Sequence, residues 1–434
     1  MFLGRILVHG TVCMRKLAQG DRSQEMRFGR FLANPRVTVE KLIGGWSDQT
    51  RHAVAGRHVL AIQDSSEIKF TTTEDDRRGL GKVKKGNSYG VLLHAMLAVD
   101  ADGGTSLGLI AGHVWTRDGT VTTPHAKRRL ADKDSVRWPA TVDAARPILA
   151  AAATVTVVND REGEFFAHWC RTPGGKVHLL TRLMNDHAVA KGGTVRRAIA
   201  DRPPAGTAAV ELRERPGRPP RTAQLEIRFG AMILKRPRNT ADRDLPSHIP
   251  VSVVEVRELD PPHGADPVHW ILLTSHTVET LDHAWRIVEW YRRRWTIEQF
   301  FRTLKRQGLR IEDSQITTAE RLCKMVAIAA KAAAIVMQLV QARDGRQHQP
   351  ADISFSHDEI ELIARLNHQM QGKTDRQKNP YAPRSLAWAA WVIARLGGWH
   401  VYETKPPGPI TFHNGLKYFR TFFQGWSFND VLMP

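Results

Sequence analysis

The stretch YRRRWTIEQFFRTLK, residues 291–305, holds the densest chemistry in the chain. On a helix turning roughly 100° per residue, Tyr291, Arg294, Glu298 and Lys305 project at about 0°, 300°, 340° and 320°, so a phenol, two bases and an acid share a stripe about 60° wide. Ile297, Phe300, Phe301 and Leu304 fall at about 180° to 280° on the same wheel. The polar stripe therefore borders the buried face instead of opposing it. A carboxylate on that border is placed to meet groups held by the core. A solvated basic helix has the same spacing, so the choice rests on the rest of the chain.

Upstream the texture is that of strands. The apolar run 59–62 ends in Gln63 and Asp64, and residues 90–99 and 106–115 follow with the turn residues Asp102, Gly103 and Gly104 between them. ATVTVV, residues 153–158, ends in Asn159 and Asp160, and residues 176–184 make a fifth strand. Strands with helical material around the fourth predict a mixed α/β sheet. Were the first and fourth strands parallel neighbours, Asp64 and Asp160 would emerge at one edge, where open α/β sheets place their sites. With Glu298 they offer three hard oxygen ligands of the kind Mg²⁺ takes. Two such ions can activate a water or hydroxyl for in-line attack on a phosphodiester. Strand-end aspartates also cap and turn, so neither carries the reading alone.

The charge balance points the same way. The 434 residues hold 63 Lys and Arg against 44 Asp and Glu, a formal charge of +19 spread along most of the chain, and a protein so charged is drawn to nucleic acid. A hydrophobic content of 42% is enough to bury several domains' worth of core, which excludes a disordered chain. The three cysteines, Cys13, Cys170 and Cys323, are odd in number and far apart, unlike a disulfide framework. The opening MFLGRILVHG is interrupted by Arg5 and His9 and lacks a cleavage site, and the apolar region 325–340 is broken by Lys331. No membrane partner is expected, and the protein is expected to be cytoplasmic. GKVKKGNS, residues 81–88, has phosphate-loop spacing but Asn87 stands where the lysine belongs, so it reads as a basic loop. The histidines show no zinc-binding spacing.

The remaining segments organise around this centre. The first fifty residues read as short basic helices. Residues 190–272 combine Pro- and Arg-rich turns with alternating runs such as TAQLEIRF, VSVVEV and HWILLTS, the pattern of an all-β insertion. A helix opens near Thr280, another at Thr317 with Glu320 in a capping-box position, and further starts lie at Ser356 with Glu359 and at Ser385. Leu416, Phe419, Phe422, Phe423 and Trp426 form an apolar stripe near the C-terminus.

QDSS at residues 63–66, NDRE at 159–162 and the spacing of Tyr291, Arg294, Glu298 and Lys305 occur together in one order. In that order they resemble the DDE transposases of the insertion-sequence-four group, similar to the transposon-five cut-and-paste enzyme. The resemblance implies an RNase H-like mixed-sheet core over 53–188 and 274–345, a β-strand insertion over 189–273, an N-terminal helical DNA-binding region over 1–52 and a C-terminal helical dimerisation region over 350–434. About 63 residues precede Asp64, fewer than in the family's pattern, so the DNA-binding region is expected to be shortened. It implies Asp64, Asp160 and Glu298 as catalytic metal ligands for Mg²⁺, with Mn²⁺ as substitute, and Tyr291, Arg294 and Lys305 as contacts to the DNA backbone. Arg182 is a candidate DNA contact. Trp270 stands where the family has a tryptophan beside the DNA terminus, although packing against the sheet explains it equally well. Asp134-Ser135-Val136-Arg137-Trp138 resembles a further family segment that usually begins with Glu. The implied partners are double-stranded DNA and a second copy of the chain, in a bacterial cytoplasm and on the nucleoid when acting. The same core also serves nucleases and resolvases, and a silent DNA-binding inhibitor of transposition is a third reading.

Overall fold

The computed structural model describes every residue except 1, 48–49, 71–78, 84–87, 118–127, 213–219, 307–308, 347–348, 403–404 and 433–434, and gives no side chains for 427–432. Most of the basic loop at 84–87, with Asn87, lies outside the described residues.

Alternation along each strand decides which side chains go to which layer. In β1 (His58–Phe70) Leu60 and Ile62 join Val158, Leu180, Ile297 and Phe300 in one layer, while Val59 and Ala61 join Val155, Val157, Leu179, Val142 and Trp169 in the other. Both faces of the centre are thus covered, which is why β4 (Thr154–Asn159) reads as a nearly unbroken apolar run. With β2 (Tyr89–Asp100), β3 (Ser106–Trp115) and β5 (Val177–Arg182), these strands take the order β3-β2-β1-β4-β5. β4 runs parallel to β1 and β5 parallel to β4, while β2 is antiparallel to both β1 and β3.

The strands of the 189–273 region continue the same sheet. β9 (His269–Thr274) pairs antiparallel with β5 through Leu180, Thr181 and Arg182, and β8 (His248–Leu259), β7 (Arg221–Lys235) and β6 (Gly206–Leu212) follow in an antiparallel run to give nine strands.

Two sequence expectations shift here. β1 does not stop at Asp64, because β2 pairs with it from Val59 to Phe70; Asp64 lies mid-strand, and only the parallel neighbour β4 ends at that level. The single helix expected over 291–305 is two helices, Leu281–Arg292 and Trp295–Lys305. Between them the N–H groups of Arg294, Thr296 and Ile297 bond three residues back, to Tyr291, Arg293 and Arg294, at 3.0–3.1 Å. That is the tighter 3₁₀ winding, with about three residues per turn. Arg293 is tied there: its guanidinium donates to the carbonyls of Asp100 (3.0 Å) and Asp102 (2.8 Å) in the turn after β2, where Gly104 takes φ +73°.

The long helix Ala319–Ala342 runs through the core. By length and composition it could cross a bilayer, contrary to the shorter apolar region anticipated, but most of it is buried inside the protein. Thr318, not Thr317, precedes it, without a side-chain capping bond. The N-terminal helices pack on it rather than standing apart. Trp46 is almost fully buried and donates its indole N–H to Ala327 (2.9 Å), and the Lys324 ammonium donates to the carbonyls of Leu32 (3.0 Å) and Asn34 (3.2 Å). A methyl on Gly112 would meet the Trp46 ring and the His94 carbonyl at 2.6 Å, so this approach needs glycine. Phe2, Ile6 and Phe28 belong to the same core, leaving Arg22, Arg27 and Arg30 exposed on the helix Arg22–Ala33.

Of the C-terminal helices, Leu386–Leu396, capped by Ser385, packs on the long helix, and His357–Met370, with its Ser356–Glu359 capping box, packs on Leu386–Leu396. In the last helix, Pro409–Leu432, Leu416 and Phe419 are buried while Phe422 turns outward. None of the three cysteines takes part in a disulfide.

Candidate active site

The parallel register sets the site. β1 and β4 pair from His58↔Thr154 to Ile62↔Val158, and β4 and β5 from Val155↔Val177 to Asn159↔Thr181. One step past the Gln63–Asn159–Thr181 level, the same offsets place Asp64, Asp160 and Arg182 in a row across three neighbouring strands. Side chains alternate, so this row faces the layer that holds the helix Trp295–Lys305. That helix brings Glu298 to it.

Arg294, in the 3₁₀ turn, joins the two elements. Its guanidinium donates to Asp64 Oδ2 at 3.3 Å and to Glu298 Oε1 at 2.7 Å. Both pairs are largely shielded from water, with side-chain exposures of 13% for Arg294 and 16% for Asp64. Burial opposes its charge, but Tyr291, Asp64 and Glu298 together hold the Arg294 pKa above its usual value, so it remains a cation. The Asp64 carboxyl behaves oppositely. Burial, then the negative charge of Asp160, push it up to about 7 against the pull of Arg294, and Glu298 adds to the rise. Ser65 N–H donates to Asp64 Oδ1 (2.7 Å), and Glu162 N–H donates to Asp160 Oδ1 (2.8 Å). Both carboxylates are thus fixed by the backbone that follows them.

The other sequence-selected residues surround this centre. Tyr291 is buried, which raises its phenol pKa, while Arg294 and Arg182 pull it down and Asp160 adds to the rise. Trp270 meets the Tyr291 ring edge-on at 5.4 Å between centroids and is half-buried. Arg182 donates to the His269 carbonyl at 2.8 Å, beside Trp270. Lys305 lies about two turns past Glu298 on the same helix, with its ammonium on the carbonyl of Glu67; burial lowers its pKa. The structure therefore gathers Asp64, Asp160, Glu298, Tyr291, Arg294, Arg182 and Trp270 at one place, and sets Lys305 at its β1 side. Sequence reading passed over Arg293, which anchors the turn and has no local signal because its partners lie far away in the chain, and it singled out the segment of Arg137 by resemblance without giving that residue a role.

Three carboxylates, one of them the buried Asp64 whose pKa is pushed up to about 7, make a donor set suited to a hard divalent cation. Among the described residues, however, no three His, Cys, Asp or Glu side chains are arranged to hold a metal as they stand. The cation between Asp64 and Glu298 is the guanidinium of Arg294, and Asp64, Asp160 and Glu298 are the residues that could hold a metal there.

A pH prediction follows from Asp64. A folded pKa raised toward 7 means the native state binds more protons than the unfolded chain, so stability is greatest at low pH and is lost as pH rises through the folded value. Asp64→Asn removes that loss. In metal-free protein the variant is expected to melt on the order of 1–3 °C higher than wild type at pH 8, with the gain shrinking toward pH 5. Identical differences at both pH values would show that Asp64 does not titrate in this window.

Residues 55–335 match the family described as "Transposase DDE domain". That stretch contains every residue of the candidate site, from Asp64 to Lys305. Among solved structures the chain is similar to a piggyBac transposase synaptic complex with hairpin DNA, determined by cryo-EM, at 10% identity and a TM-score of 0.34, covering 67% of this chain and 48% of that one. This chain thus spans about half the length of that relative. With the match extending over most of its length and across the whole candidate site, the chain belongs to the transposase DDE domain family.

Proposed function

We propose that the protein is a cut-and-paste DNA transposase of the insertion-sequence-four group, which cleaves its element's ends and joins the freed 3′ hydroxyl to target DNA. One observation carries the reading: the row of Asp64 on β1, Asp160 just past the end of β4 and Arg182 on β5 faces Glu298 on the adjoining helix and Arg294 in the turn before it. The order β3-β2-β1-β4-β5, with β4 and β5 parallel to β1, supports an RNase H-like core. The continuous strands β6–β9 support the insertion over 189–273, flanked by helical regions at 1–52 and 350–434.

Asp64, Asp160 and Glu298 would hold Mg²⁺, or Mn²⁺ in its place. The ion would supply activation of the attacking oxygen and charge stabilisation at the phosphorus. The chain's own residues do the rest. Arg294 offers a planar fork that can leave the carboxylates for a phosphate's oxygens, since charge-assisted bonds of either kind are comparable. Arg182 and the Tyr291 hydroxyl stand beside the same strand ends and can hold the adjoining backbone. Lys305 supplies a mobile point charge further along. Trp270, resting on Tyr291, presents an indole face on which an unpaired end base could stack. Hydrolysis and strand transfer are both substitutions at phosphorus, so one site serves both with the nucleophile exchanged. Cutting two ends together calls for a homodimer on DNA.

The test is incubation of the purified protein with Mg²⁺ and DNA carrying its native element ends, followed by sequencing gels. Cleaved ends and their joined products are expected. Cleavage without joining would point to a nuclease or resolvase on the same core, and binding without cleavage to a silent inhibitor.

A further inference from the structure

Behind the row of acids, on the opposite sheet face, lies a connected set of polar side chains. Arg137 begins the helix Arg137–Ala145. Its guanidinium donates through Nε to Ser65 Oγ (2.9 Å) and through a terminal nitrogen to Glu162 Oε2 (3.1 Å), while the other terminal nitrogen donates to the Asp134 carbonyl (2.8 Å). Ser65 and Glu162 are the two residues whose backbone N–H groups fix Asp64 and Asp160. One planar fork therefore reaches both backbone clamps.

The other bonds leave Ser65 a single orientation. His94, fully buried on β2, lies 3.0 Å through Nε2 from Gln63 Oε1 and 2.8 Å through Nδ1 from Ser65 Oγ. Burial keeps the imidazole neutral, with one N–H. The Gln63 oxygen can only accept, so that N–H is on Nε2 and Nδ1 accepts from the Ser65 hydroxyl. The hydroxyl proton being used, Ser65 can only accept from Arg137. The guanidinium is itself held over the rings of Trp138 (5.5 Å) and Trp115 (5.7 Å).

We propose that Arg137 is a positioning residue: by bracing Ser65 and Glu162 at once, it holds in place the backbone that fixes the Asp64 and Asp160 carboxylates, the two acids a divalent cation would draw on. This rests on the metal-dependent reading of the site given above. Partners that orient metal-binding side chains commonly change affinity 10- to 100-fold when removed.

The experiment is calorimetric titration of MnCl₂ into metal-free full-length protein, with melting temperature and end-DNA binding measured on the same samples. Arg137→Met keeps the stem between the two tryptophans and is expected to weaken Mn²⁺ binding about 10- to 100-fold while DNA binding stays near wild type. Arg137→Lys should not rescue it, because one amine cannot span both partners. Glu162→Ala, at an exposed carboxylate whose loss leaves the fold intact, is expected to lower Mn²⁺ affinity in the same direction and serves if Arg137→Met fails to fold. Wild-type affinity in Glu162→Ala together with wild-type affinity in a folded Arg137→Met, or in Glu162→Ala alone where Arg137→Met does not fold, overturns the role. A wild-type protein that takes up no Mn²⁺ overturns the metal-dependent reading itself, and the brace with it; a wild type that binds Mn²⁺ beside variants that bind equally overturns the brace alone.

Discussion

Glu298→Gln is expected to lower DNA cleavage by at least about 10³-fold while leaving DNA binding within about twofold. The substitution keeps the side chain's shape and removes its charge. Glu298 is one-third exposed and lies on the polar border of its helix, whose buried face is made by Ile297, Phe300, Phe301 and Leu304, so the fold does not depend on it. An amide is a poor ligand for a hard cation where a carboxylate is a good one. Several kcal/mol of transition-state stabilisation then disappear, at about 1.36 kcal/mol for each factor of ten. On the proposed function, binding rests on the basic surface and on Arg182 and Lys305, which bond elsewhere, and on Arg294, which loses a charged partner in Glu298 but keeps its bond to Asp64. Single-turnover cleavage and gel-shift titration on the same end DNA separate the two effects. Equal cutting by variant and wild type would take Glu298 out of the mechanism.

Much of this site could be read from the letters because its geometry is carried by register. Two apolar runs of similar length, each followed by a polar residue and an aspartate, come level once they are parallel neighbours, and β1 and β4 are such neighbours. The buried face of the Glu298 helix was also legible, since Ile297, Phe300, Phe301 and Leu304 repeat at the helical period. What escaped depends on distant partners. YRRRWT holds no Gly or Pro to announce the 3₁₀ turn, which coincides with Arg293 reaching the Asp100–Asp102 carbonyls nearly two hundred residues upstream. β1 was taken to end at its first polar residues, because its antiparallel pairing with β2 beyond Asp64 is a property of the partner strand. The N-terminal helices carry exposed arginines and apolar positions in equal measure; their burial against Ala319–Ala342 is decided by Trp46 and Lys324, each bonding a carbonyl about 280 to 290 positions away.

Arg294→Met separates two roles that wild-type behaviour confounds, because its expected effects have opposite signs. In the metal-free protein Arg294 is the only cation bonded to Asp64 or Glu298 among the described residues. Without it, Asp64 and Asp160 face each other with less compensation, and a Coulomb interaction of up to about 4 kcal/mol per close pair near the surface turns from opposing a bound divalent cation to absent. Mg²⁺ uptake should therefore strengthen at least roughly tenfold, and by mass action Mg²⁺ should raise the melting temperature more in the variant than in wild type. Cleavage should move the other way, falling about 10²- to 10³-fold, because a preorganised donor to the phosphate is lost and methionine offers none. Calorimetric titration, melting with and without Mg²⁺, and single-turnover cleavage on one preparation give all three readouts. Were Arg294 only a counter-ion for the acids, metal binding would tighten and cleavage would hold or rise; were it only a DNA contact, cleavage would fall with Mg²⁺ affinity unchanged. Tighter metal binding with slower cutting is the combination expected of a guanidinium that guards the carboxylates until a phosphate draws it away.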